Sequence, residues 1–224
     1  MDLRRLNDAC VINPFPTPFT DEVLDNVGGQ EAYSFTNRFL GYHHTKIAKE
    51  NMHKTAFATE GGCYQYTVMP FGLKNAPTIF SRVVFTSFKE FIHKFLEVYF
   101  DDWIVFGLLK KHIENLRLMF DRCRQCQIAL NLKKCIFCSL LGILLRHVVC
   151  KQGLLMDPAK IAIIVNSPPP TSVRQLRTTL GHTEYYRKFI KGCMQITTLI
   201  EKQLKKDTKF QWTEECQQSL DPLK

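Results

Sequence analysis

The stretch Val98-Tyr99-Phe100-Asp101-Asp102-Trp103-Ile104-Val105-Phe106 decides the reading of this chain. The apolar runs on either side of the two aspartates predict buried strands, and the turn between them lifts two like charges out of a greasy sheet. Adjacent carboxylates repel each other unless a cation sits between them. A divalent ion is the natural partner, because Mg²⁺ held by one or two carboxylates plus substrate phosphates is how phosphoryl-transfer sites are built. The plain alternative for so short a motif is an acidic turn solvated by water.

Working outward from the hairpin, Asn75-Ala76-Pro77 opens a helix, with Ile79, Phe80, Val83, Val84 and Phe88 at helical spacing. On the other side, Ile113, Leu116, Phe120 and Cys123 trace a second amphipathic helix, with Lys110, Lys111, Arg117 and Arg124 mostly off that face. Upstream, Asn13 to Pro18 reads as an extended connector, Asp21 to Val27 as a short helix ended by Gly28-Gly29, and Tyr33 to Thr36 as a strand with Asn37 at its end. Lys54 to Thr59 and Tyr64 to Met69 predict a hairpin around Gly61-Gly62, and residues 128–150 predict further short strands. Asp157-Pro158 starts a helix, Pro168-Pro169-Pro170 stops it and marks a candidate hinge, and the pattern from Thr171 onward is helical with basic faces.

Charge is distributed unevenly. Residues 1–104 carry 10 Lys and Arg against 12 Asp and Glu, whereas residues 105–224 carry 20 against 9, so the second half alone, at +11, could grip a polyanion. The longest nearly uncharged apolar stretch, Ile136 to Leu145, is far too short to cross a bilayer, and Met1-Asp2-Leu3-Arg4-Arg5 lacks the apolar core of a secretory signal. Nine scattered cysteines, an odd number, suit a reducing compartment. These features predict an intracellular protein that is neither secreted nor a membrane protein.

Taken in order, several motifs make the chain resemble the reverse transcriptase of gypsy-type (Metaviridae) long-terminal-repeat retrotransposons. They are Arg4-Arg5-Leu6-Asn7, Gly41-Tyr42-His43, Lys54-Thr55-Ala56-Phe57, Met69-Pro70-Phe71-Gly72-Leu73-Lys74-Asn75-Ala76-Pro77, Tyr99-Phe100-Asp101-Asp102, Asp157-Pro158-Ala159-Lys160-Ile161, Leu180-Gly181 and Tyr185-Tyr186-Arg187-Lys188-Phe189-Ile190. The resemblance implies an α+β right-hand polymerase fold: a palm of antiparallel sheet with helices, partial fingers and a helical thumb. Residues 1–150 would be partial fingers and palm, 151–209 a thumb-like basic helical region, and 210–224 the start of a connection to a ribonuclease H-like module beyond Lys224. The chain on this reading is a fragment of a Pol polyprotein.

The implied activity is RNA-directed DNA polymerisation, in which a primer hydroxyl attacks a deoxynucleotide with two Mg²⁺ ions stabilising the attacking and leaving oxygens. The family holds these metals with three carboxylates. Asp101 and Asp102 match two of them, and counting back four residues from Gly41 puts the third at Asn37, an amide where an aspartate is expected. Residues 32–49 contain no carboxylate that a register slip could supply. The resemblance also assigns Tyr42, Phe71 and Gly72 to nucleotide binding, and Arg146, His147, Arg187, Lys188 and Lys191 to the template–primer. Arg146 stands where the family usually has a glycine, which permits positive φ, and Arg38 and Leu40 replace smaller or more polar residues beside the nucleotide site. The basic fingertip loop that clamps the triphosphate in retroviral relatives precedes the region matched by Asp2.

Two function classes follow: a reverse transcriptase weakened by Asn37, and a non-catalytic nucleic-acid-binding relic with a polymerase fold. A protein–protein module that has lost nucleic-acid binding is a third. One rival motif is Cys123-x₂-Cys126 with Cys135-x₂-Cys138, whose spacing resembles a zinc site. Against it, Cys123 falls within an amphipathic helix, neither pair encloses a Gly or Pro turn, and Cys135 sits where the retrotransposon pattern often has a cysteine. His43-His44 and His112 lack partners at ligand spacing.

Overall fold

The computed structural model describes residues 2–16, 18–38, 45–204 and 210–221. The chain divides into two units, residues 1–145 with 149–154, and residues 146–148 with 155–224. In the first, α1 (Arg4–Ala9) and α2 (Thr20–Val27) precede strand β1 (Ala32–Asn37). A short helix α3 (Lys49–Met52) runs into a 3-10 turn at His53–Thr55 and is followed by the hairpin of β2 (Phe57–Thr59) and β3 (Gly62–Tyr64). Then come α4 (Ala76–Phe88), β4 (Leu96–Tyr99), β5 (Asp102–Gly107) and α5 (Leu109–Gln125). A 3-10 turn at Leu132–Lys134 leads into β6 (Ile136–Ser139). Strands β7 (Leu141–Leu144), β8 (His147–Cys150) and β9 (Gly153–Met156) form a three-stranded sheet in that order, of which residues 147–148 and 155–156 belong to the second unit.

The sheet that carries the acidic hairpin has the order β4-β5-β1-β6 and is antiparallel throughout. Alternation along β5 explains why its residues 103–106 are all apolar. Trp103 and Val105 point into one core with Leu96, Phe80, Val84 and Phe88, backed by α4 and α5; Ile104 and Phe106 point into the other with Tyr33, Val23, Leu24 and Val27, backed by α2. A sheet covered on both faces has no solvent side to mark with polar residues. Helix α4 is built for its place: Pro77 fits the first turn, and Ala76, Phe80, Val84 and Phe88 are buried along one i, i+4 stripe.

Helix α5 turns Leu116 and Cys123 of its predicted face inward, with Phe120 packed against the same core, and departs from the prediction at Ile113. The buried positions are His112, Leu116, Met119 and Cys123, while Ile113 is exposed. His112 is fully buried, with its Nε2 2.8 Å from Ser34 Oγ, which itself accepts from the Cys138 N–H at 2.9 Å. The other ring nitrogen has no hydrogen-bond partner among the described residues. A second N–H there would be stranded away from water, so burial pulls the His112 pKa below its ordinary value. The unfolded chain therefore takes up a proton that the fold resists. Stability is fully present above about pH 6.5 and is lost as the pH falls through the depressed folded value. The urea midpoint is expected to drop between about pH 7.5 and about pH 5, and the drop should be smaller in His112→Phe.

The predicted hairpin over residues 54–69 is shorter than its apolar pattern suggests. Thr55 closes a turn, its hydroxyl donating to the Met52 carbonyl at 2.7 Å and accepting from the Tyr66 N–H at 3.0 Å. The strand-like end of the second run pairs elsewhere: Met69 N–H donates to Thr45 O and Ile47 N–H donates to Thr67 O, both at 2.9 Å.

The second unit is helical, with α6 (Pro158–Val165), α7 (Val173–Tyr185), α8 (Cys193–Glu201) and α9 (Glu214–Leu220). Asp157 caps α6 by accepting the Ala159 N–H at 2.9 Å, and the helix ends ahead of the triple proline. Ser172 accepts the Gln175 N–H at 3.3 Å while Gln175 reaches back to the Thr171 N–H at 2.7 Å, a reciprocal cap for α7. Leu176, Cys193, Ile200 and Leu220 form the core of these helices. Among the described residues no helix is long and apolar enough to cross a membrane.

Candidate active site

The turn between β4 and β5 needs a left-handed residue, and Phe100 takes that conformation at φ 51°. The Trp103 indole N–H donates to the Phe100 carbonyl at 3.2 Å and pins the tip to the core. Strand register then sets the partners of the carboxylates. Asp102 lies opposite Tyr99 on β4 and opposite Asn37 on β1, so these three form one cross-strand row. The Asn37 side-chain amide donates to Asp102 Oδ1 at 3.2 Å. The backbone of Asn37 is fixed as well, its carbonyl accepting the Asn131 N–H at 2.7 Å and its N–H pointing to Cys135 Sγ at 3.4 Å. The structure thus brings Asn37 to Asp102.

The neighbouring residue was not assigned a role from sequence. Arg38 lies on the opposite side of β1 from Asn37, stacks over the Phe80 ring at 3.4 Å from its centroid, and donates through Nε to Asp101 Oδ1 at 2.7 Å. A second guanidinium nitrogen lies 2.5 Å from the same oxygen; the Arg38 side chain is 4% exposed and that of Asp101 59%. Strict alternation along a strand was the signal that could have found it, since 37 and 38 must flank the tip from opposite faces. Each carboxylate is therefore engaged by a donor of the chain itself. Among the described residues no three His, Cys, Asp or Glu side chains come together as metal ligands. Asn37 turns an N–H rather than an oxygen toward Asp102, and a guanidinium sits against Asp101. As arranged, this donor set does not fit a pair of divalent ions, which need anionic oxygens on their inner side.

The other residues singled out by sequence lie elsewhere. Phe71 is exposed, and Gly72, at φ 93°, makes the turn that presents it. Asn7 braces that turn, donating to the Gly72 carbonyl at 2.7 Å and accepting the Lys74 N–H at 2.8 Å, which gives the Arg4-Arg5-Leu6-Asn7 motif a structural role. Tyr42, with Leu40, Gly41 and His43, lies outside the described residues.

In the second unit, His147 is buried at 4% exposure among Tyr185, Tyr186 and Phe189, with ring centroids 5.2, 5.2 and 5.8 Å away. Arg187, Lys188 and Lys191 are exposed, and Arg187 pairs with Glu184 at 2.8 Å. Arg146 corrects the expectation that an arginine there would forgo positive φ: it has φ 59°, and Leu145 before it has φ 46°. A two-residue connection with both φ positive is the type I′ turn that Asn-Gly favours. Arg146→Gly is expected to relieve about 1 kcal/mol of strain and raise the melting temperature by about 2–4 °C, read by thermal denaturation.

The four cysteines of the rival motif do not behave as a set. Cys123 is buried in the α5 core, where burial pushes its thiol up to about 12 and its Sγ donates to Met119 Sδ at 3.5 Å, whereas Cys138 is exposed. Cys135 instead supports Asn37, and its thiol also donates to the Asn131 carbonyl at 3.2 Å.

A family model described as reverse transcriptase (RNA-dependent DNA polymerase) matches residues 1–183. The chain is 35% identical over 211 residues to the Retrovirus-related Pol polyprotein from transposon 297 of Drosophila melanogaster, covering 94% of this chain and 20% of that one. It is 32% identical over 210 residues to the corresponding polyprotein from transposon gypsy of the same organism, covering 92% and 20%. The chain thus spans about a fifth of the length of these curated relatives. Among solved structures, the foamy viral protease-reverse transcriptase in complex with double-stranded DNA superposes with a TM-score of 0.85 at 21% identity, over 99% of this chain and 39% of that one. The same viral enzyme in complex with an RNA/DNA hybrid gives 0.79 at 21% identity, over 99% and 30%. Such likeness carries the fold, α+β with a right-hand polymerase architecture, while the sequence carries the lineage: the chain belongs to the reverse transcriptase (RNA-dependent DNA polymerase) family, among gypsy-type retrotransposon Pol relatives.

Proposed function

We propose that this chain is a template–primer-binding reverse transcriptase domain in which Mg²⁺-dependent nucleotidyl transfer is impaired. In this reading residues 1–150 are partial fingers and palm, 151–209 a thumb-like region, and 210–224 the beginning of a connection. The observation that carries it is the 3.2 Å hydrogen bond from the Asn37 amide to Asp102. An amide supplies no charge where the family's chemistry needs an anion, so two metal ions are held weakly and the charge that develops in transfer is poorly balanced. Template–primer binding does not need that anion. It draws on the +11 half of the chain, and the related viral structures that hold double-stranded DNA or an RNA/DNA hybrid support it. Arg187, Lys188 and Lys191 are the candidate phosphate contacts, with Phe71, Gly72 and Tyr42 on the nucleotide side.

The runner-up is a relic that binds nucleic acid with no residual chemistry, and the engagement of both carboxylates by the chain's own donors favours it. Binding is tested by fluorescence anisotropy with a labelled RNA/DNA hybrid across a salt series. Affinity is expected to fall about 10²- to 10³-fold between roughly 50 and 200 mM salt, as counterion release requires. A flat salt response, or no binding at low salt, overturns the proposal in favour of a protein–protein module.

A further inference from the structure

We infer that Arg38 is a built-in counter-ion that takes over the charge-balancing place of a metal at the acidic hairpin, so that this palm holds nucleic acid without a divalent cation. The inference deepens the function proposed above and rests on it. Three observations carry it. First, β1 alternation brings Asn37 to Asp102 from one face of the sheet and Arg38 to Asp101 from the other, so both carboxylates are gripped at once. Second, the cation is not a surface side chain that an incoming ion could push aside. Its guanidinium is buried and stacked on Phe80, while its own backbone N–H donates to the Asp101 carbonyl at 3.4 Å. Third, among the described residues no third His, Cys, Asp or Glu side chain joins the two aspartates as a set of metal ligands.

The charge balance follows directly. Two carboxylates and one guanidinium leave a net −1 at a place where a pair of divalent cations would bring +4. Restoring the third acid alone makes that −2 and leaves Arg38 against Asp101, facing any ion that approaches. Arg38 is thus a positioning residue for the hairpin, and Asn37 and Arg38 together define a metal-free state of the site.

The test is Mn²⁺ binding by the full chain, read from the loss of the free-ion EPR signal. It compares the unmodified protein with Asn37→Asp, Arg38→Leu and the double variant. The unmodified chain and Asn37→Asp are expected to leave Mn²⁺ largely free, and the double variant to bind about 10- to 100-fold more tightly than Asn37→Asp. Equal affinity in Asn37→Asp and the double variant overturns the inference, as does Mn²⁺ binding by the unmodified chain that Asp102→Asn abolishes. A second measurement needs no Arg38 variant. In metal-free buffer Asp101→Asn should lower the melting temperature by about 4 °C or more, because a buried guanidinium loses its partner. An unchanged or raised value would mean that Asp101 is an uncompensated acid, against the inference. Hybrid binding in EDTA should equal that in Mg²⁺. Binding lost only on chelation overturns the counter-ion, whereas binding absent in both buffers overturns the proposed function and leaves the Mn²⁺ comparison to stand alone.

Discussion

Trp103→Ala is expected to remove about 3–5 kcal/mol from the stability of the unit that carries the acidic hairpin, and to lower its melting temperature by roughly 6–20 °C. The residue has no exposed surface, and its ring meets Phe88 edge to face at 4.9 Å between centroids. Truncation empties a cavity between β5 and α4 that neighbouring rings cannot close without breaking the Ala76–Phe88 stripe. It also removes the indole N–H that the Phe100 carbonyl accepts, and so loosens the tip next to Asp101. Typical domains have only about 5–15 kcal/mol in total, so a large part of the margin goes. Circular dichroism melting is the suitable probe, because the chain has two tryptophans and the variant leaves only Trp212, which lies in the second unit. A change below about 1 kcal/mol would mean that Trp103 does not anchor this core.

Much of this architecture is legible in the sequence wherever a local feature has only one physical solution. Two aspartates interrupting a continuous apolar run predict a turn, and the structure places Phe100 and Asp101 in it, between β4 and β5, with Asp102 opening β5. Pro77 after Asn75 predicts the start of α4, and Asp157-Pro158 that of α6. The misplaced elements are those decided by tertiary partners. At the start of helix α5 the buried His112 fills a core position that a hydropathy reading assigns to Ile113. The run ending at Met69 pairs with residues 45–47, the Met69 N–H donating to the Thr45 carbonyl and the Thr67 carbonyl accepting the Ile47 N–H.

The site divides along the same line. Asn37 was singled out by counting back four residues from the Gly41 motif of the family pattern, and the structure sets it in the row of Asp102. Arg38 stood beside it in the sequence as an unusual residue without a role. Its reach to Asp101 depends on the Phe80 ring from α4 lying beneath it, which no short-range pattern encodes. The Cys-x₂-Cys pairs, whose spacing resembles a zinc site, have side chains that serve a core in one case and a strand end in another.

The largest expected effect is on nucleotidyl transfer. Removing one preorganised electrostatic partner from an active site commonly lowers the rate about 10²- to 10³-fold, and Asn37 places a neutral amide against Asp102 where the family pattern has a negative charge. Asn37→Asp returns that charge but leaves the guanidinium of Arg38 on Asp101, so its recovery should be partial, and Asn37→Asp with Arg38→Leu should exceed it. The decisive measurement is primer extension on a poly(rA)/oligo(dT) template with Mg²⁺ by the unmodified chain beside these variants. Little or no product from the unmodified chain, with graded recovery across the single and double variants, is the expected result. Robust synthesis by the chain with Asn37 in place would contradict the claim that an amide at this position disables the site.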